Sequence, residues 1–174
     1  MAGFLSAHGY DPGPTQRPLV AGAISGFVAS MPATGLLWAF GSLEIEARIL
    51  GLPIGATLAA GWPLMAFAGA LYSRLFGRAA NDRSGGWLSG MAFGFVVWTA
   101  GAVFILPLAS GGMAVSGIAA IGVFLSLVLW GASLGALLPF VHRPLQLSLD
   151  SEARRAKSGP LAAVGAAAVS RRNS

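Results

Sequence analysis

Apolar residues gather in four runs, at about 19–40, 54–76, 87–108 and 115–140, separated by short polar or glycine-rich stretches. None of the runs carries Asp, Glu, Lys, Arg or His in its middle. At 1.5 Å of rise per residue, an uncharged helix of about twenty residues crosses the roughly 30 Å hydrocarbon core of a bilayer. The pattern therefore predicts an all-α integral membrane four-helix bundle. Between the first two runs, Glu44, Glu46 and Arg48 alternate with Leu43, Ile45 and Ile49, which suits an interfacial connector or a short amphipathic turn. The link after the third run, Ser110, Gly111 and Gly112, is short, so the last two spans are expected to be antiparallel neighbours.

The segments outside the spans are too small to bury a core. Residues 1–18 hold Gly3, Gly9, Pro12, Gly13, Pro14 and Pro18 and are expected to form a mobile tail. No Lys or Arg precedes Arg17, so the first run lacks the basic start of a secretory leader and is expected to be retained. Residues 144–174 are basic and rich in Ala, Ser and Gly, a composition expected to be largely disordered.

Only 10% of residues are charged, against roughly a quarter in soluble domains. The net charge of +5 would fit nucleic-acid binding in another setting. Here the basic residues flank apolar runs, where they orient helices and meet anionic headgroups, so membrane lipids and not nucleic acid are the expected partners. Every Lys and Arg except Arg48 lies in the N-terminal tail, around the second connector or beyond the fourth span. Four crossings place those three regions on one side, which predicts cytoplasmic N- and C-termini. Arg74, Arg78, Arg83, Arg143, Arg154, Arg155 and Lys157 are the expected headgroup contacts. With no cysteine, disulfides and thiolate chemistry are excluded.

Spans one and three share a motif. Gly22, Gly26, Phe27 and Val28 match Gly90, Gly94, Phe95 and Val96 as G-x-x-x-G-F-V, and Gly69-Ala70-Leu71 matches Gly135-Ala136-Leu137 near the ends of spans two and four. Two tandem helical hairpins of the same orientation would give this pattern, and so would the chance recurrence of glycine and alanine in apolar helices. Glycines four apart also occur at Gly51 with Gly55 and at Gly131 with Gly135. Such spacing puts small residues on one helix face, where another helix can approach closely, so Gly22, Gly26, Gly90, Gly94, Gly131 and Gly135 are expected at helix-packing interfaces. Whether those interfaces lie within one bundle or between subunits is left open by the spacing.

Candidate chemistry is sparse. Pro32 and Pro63 fall inside spans, where proline removes a backbone donor and bends or locally opens a helix. Trp62, Trp98 and Trp130 need acceptors for their indole N–H groups, and with Thr34 and Ser126 they make up an expected polar seam. Such a seam could face a small ligand or simply pack. Glu44 or Glu46 is expected to pair with Arg48, at i+4 or i+2, in place of the two holding a metal. His8 and His142 are expected outside the hydrocarbon. No catalytic, cofactor or metal site is expected.

On its repeated G-x-x-x-G-F hairpins, from about Leu19 to Arg143, the chain resembles small four-helix inner-membrane proteins of bacteria that have no assigned activity. The resemblance implies a membrane bundle and supplies no catalytic residues. The expected function is a non-catalytic accessory or scaffold subunit, acting through helix packing on a membrane-protein partner or in a homo-oligomer. The alternative is a small oligomeric transporter or channel for an uncharged solute or lipid.

Overall fold

A computed structural model of the protein describes residues 17–80 and 85–142, with the side chains of 77–80 left out, and holds no strand among them. Of the expected tails, 1–16 and 144–174 lie outside the described residues, as do Arg83, Arg143, Arg154, Arg155 and Lys157, whereas Pro18 already belongs to the first helix. The fold is all-helical. Helix α1 spans Pro18–Ala39, a short α2 spans Ser42–Leu50, and α3 spans Ile54–Ala80. Helix α4 spans Gly86–Ala109 and α5 spans Gly117–His142. Four of these, all but α2, are long and apolar enough to cross a membrane, and their candidate spans, Ile54–Phe76 in the case of α3, fall within about two residues of the sequence-predicted runs.

Caps and connectors follow local chemistry. Pro18 opens α1 at its first turn, where its missing N–H costs nothing. Left-handed glycines bracket α2, Gly41 and Gly51, both at φ 65°, a backbone state that other residues adopt at a cost. The segment expected as an interfacial connector or a short amphipathic turn holds a nine-residue helix. The link to α5 turns through Gly111 and Gly112 at φ 71° and 99°.

Neighbouring spans are antiparallel, and the ring order α1, α3, α4, α5 closes the bundle. Arg17, Arg74 and His142 share one end, here the basic end; α2 and the Gly111–Gly112 turn share the other. Helix α1 buries only small residues, Ala21, Gly22, Ser25, Gly26, Ala29, Ser30 and Ala33. Its bulky residues, among them Ile24, Phe27, Val28 and Met31, face outward. That inversion of soluble-protein amphipathicity is what a lipid solvent favours, because lipid solvates large apolar side chains while small ones admit a neighbouring backbone. Helix α5 supplies the bulk, with Trp130, Leu134 and Leu138 fully buried.

The two central helices are α1 and α5, with 39% and 44% of their most apolar stretch buried, against 17% for α3 and 11% for α4. Helix α4 also departs from regularity: Thr99–Ile105 is a π-helix, and no residue from Thr99 to Ala109 is buried. The wide turn lies just before Pro107, whose ring displaces the carbonyl four residues earlier. By contrast α1 and α3 run through Pro32 and Pro63 as continuous α-helix, with both prolines exposed.

Candidate functional site

The glycines act first within the chain. A methyl group added at Gly22 would collide with the carbonyl of Gly69, and one at Gly26 with that of Met65. In the second hairpin a methyl at Gly90 would strike the carbonyl of Gly131, at Gly94 that of Leu127, and at Gly135 that of Gly86. All six glycines expected at interfaces therefore stand where two backbones of the same bundle touch. Gly55, the partner of Gly51 in the remaining spacing, meets open space, as do Gly35, Gly61 and Gly101.

The same contacts correct the sequence register of the repeat. Gly22 and Gly90 each face a glycine carbonyl, from Gly69 and Gly131, so Gly69 corresponds to Gly131 and the earlier match to Gly135 is off by one helical turn. The corrected register also equates Phe27 with Phe95 and Trp62 with Phe124. Those are ring pairs in the structure: Phe27 and Trp62 meet at 5.8 Å and 83°, Phe95 and Phe124 at 6.4 Å and 88°, both edge to face. Two independent features thus give one alignment of the hairpins. The slip arises because the connection through α2 is longer than the Gly111–Gly112 turn, and a motif match cannot see where the helices cross.

The expected polar seam resolves into separate bonds. Trp62 donates its indole N–H to Thr34 Oγ1 at 3.1 Å, and Thr34 donates to the Ser30 carbonyl at 2.8 Å. Trp130 donates across the core to the Gly26 carbonyl at 2.9 Å. Ser126 bonds back to Val123 of its own helix at 2.8 Å. Trp98 joins none of these; it packs on Phe95 and Phe124, at 5.7 and 5.1 Å.

A second cluster, absent from the sequence reading, joins α3 to α4 near the basic end. The Tyr72 hydroxyl lies 2.7 Å from Ser89 Oγ and 3.1 Å from the Gly86 carbonyl, and its ring stacks with Phe76 and Phe93 at 5.0 and 5.2 Å. Ser25 and Ser73, both fully buried, have hydroxyls with no hydrogen-bond partner among the described residues. Only burial could have marked these residues, and burial is not written in a chain that is apolar on every face. His142, expected outside the hydrocarbon, is the last residue of α5 and is buried. Of the expected headgroup contacts, Arg74 is exposed on α3, and Arg78 lies in the same helix.

No protein family, curated protein or solved structure matches this chain. The functional reading therefore rests on the bundle's own surfaces.

Helix α2 carries the one titratable group packed toward the α2 end. Its buried face is Ser42, Leu43 and Ala47, and at 100° per residue the half-buried Glu46 falls on that face, between Ser42 and Leu43. Ser42 fixes α2 to α5 by donating to the Ala119 carbonyl at 2.8 Å, and Gly122 makes room for Ser42 and Phe40. Burial raises the Glu46 pKa to about 7. The expected pairing with Arg48 does not form: among the described residues neither Glu44 nor Glu46 makes an ion pair, and both Glu44 and Arg48 are exposed. Residues two apart on a helix diverge, and an exposed i, i+4 pair gains too little to hold two long side chains together. No group of three or more potential metal ligands occurs among the described residues.

Proposed function

We propose that this multi-pass protein is a non-catalytic accessory or scaffold subunit of a bacterial inner membrane, with both termini cytoplasmic, and that it binds another membrane protein along the uncovered side of α3 and α4. One observation carries the reading: the half of α4 from Thr99 to Ala109 buries no residue in its own bundle. The nearby glycines Gly55, Gly61 and Gly101 have open space where their side chains would be. In a membrane helix such glycines give up helix propensity for nothing unless a neighbour uses the gap. Arg48 stands apart from all other basic residues, which supports the cytoplasmic placement of the termini. The seam residues Thr34, Trp62, Ser126 and Trp130 bond to neighbouring side chains or to helix carbonyls, which favours packing over a solute pathway.

The test is the mass and composition of the assembly extracted from native membranes in mild detergent. A defined partner should co-purify with the native chain and be lost from Gly61→Leu with Gly101→Leu, while the bundle itself stays folded. A lone native bundle would overturn the proposal.

A further inference from the structure

We propose that Glu46 is a proton-binding site whose protonated form holds α2 seated on α5, so that α2 is a pH-responsive cap on this end of the bundle. The proposal does not depend on the partner reading above.

Three features of the fold carry it. First, Glu46 is half-buried on the packed face of α2, with Ser42 to one side around the helix and Leu43 and Ala47 to the other. Second, α2 is joined to the spans by single left-handed glycines, Gly41 and Gly51, and nothing crowds either one. These are hinges at both ends of a rigid nine-residue lever. Third, the seat is small: Leu43 and Ala47 are its buried apolar side chains, and the Ser42 bond to Ala119 and the notch at Gly122 tie it to α5. A seat of that size is open to reversal by one charge.

Among the described residues no cation pairs with Glu46. Helix α1 contains no charged or titratable residue; those of α3 are Tyr72, Arg74 and Arg78, at its basic end; that of α5 is His142, at the same far end. On α2 itself Glu44 and Arg48 are exposed, off the packed face. Partial burial on this face therefore disfavours the ionised form of Glu46 and favours the neutral acid.

The direction with pH follows from linkage. Burial raises the pKa from 4.5 to about 7 in the seated state. Below the ordinary carboxylate range both seated and lifted forms are protonated, and seating is at its strongest. Between that range and about 7 only the seated form keeps the proton, so seating weakens as pH rises, and above about 7 the full loss is reached.

The chain has no cysteine, so spin labels can be placed at Glu44→Cys and Ile118→Cys in the full-length protein in lipid nanodiscs. The ratio of seated to lifted forms should fall by about tenfold or more between pH 5 and pH 8, seen as a shift toward a longer and broader label distance. With Glu46→Gln added, the short distance should persist at both pH values. A distance that ignores pH in the native background, or the same titration in Glu46→Gln, would overturn the assignment. Infrared difference spectra of the unlabelled chain need no variant: a protonated carboxyl band present at pH 6 and gone at pH 8 is expected, and its absence would also overturn it.

Discussion

Hairpin α1/α3 and hairpin α4/α5 cross backbone to backbone at glycines of matching register, and each adds an edge-to-face ring pair one or two turns farther along. Toward the α2 end they part. The first is closed by the buried Ala33 and the Thr34–Trp62 bond, whereas α4 loosens into a π-helix with nothing buried from Thr99 on. The connectors explain part of the difference. Helix α2 draws α5 toward the first hairpin through Ser42 and Gly122, and α4, joined to α5 by a turn alone, is left facing outward. The crossing makes the hairpin; the connector decides which far half of it stays available.

The largest expected effect separates crossing glycines from open ones. Gly131→Leu should destabilise the bundle by about 3 kcal/mol, because the helices must part to admit the side chain. Gly101→Leu on the same hairpin should be neutral or gain up to about 1 kcal/mol in helix propensity. Unfolding in mixed detergent, followed by tryptophan fluorescence, reads both, and equal losses would mean that the crossing is not the source of stability.

The next two effects are smaller. Trp130→Phe removes a fully buried indole bond between the hairpins and should cost about 1.5 kcal/mol, near the upper end for such bonds in membranes. Trp62→Phe acts within the first hairpin at a half-buried site and should cost about 0.6 kcal/mol. The reverse order would make the Thr34 pair, not the Gly26 contact, the dominant polar bond. Ser25→Ala should gain up to about 1 kcal/mol, since it deletes a buried hydroxyl without a partner; a loss would reveal a bound water at that hydroxyl.

The finest test concerns the repeat itself. Double-mutant cycles on Phe27 with Trp62 and on Phe95 with Phe124 should return the same coupling, about 0.5 to 1 kcal/mol each. Coupling in one pair alone would mean that the two hairpins share a crossing but not a packing register.

The sequence by itself determined the spans, because the cost of leaving a backbone polar group or a charge in hydrocarbon is set by composition over about twenty residues and needs no knowledge of neighbours. It also pointed to Gly22, Gly26, Gly90, Gly94, Gly131 and Gly135, since small residues one turn apart make a face wherever the helix goes. Only the tertiary structure decided which faces those glycines meet, that Gly69 pairs with Gly131 and not Gly135 across the repeat, and that Glu46 faces the bundle without Arg48. Ser25, Ser73 and Tyr72 became visible for the same reason. In lipid the outward and inward faces of a helix are both apolar, so hydropathy carries the boundary of each span but not the direction in which it looks; that direction is fixed by shape, one backbone against another.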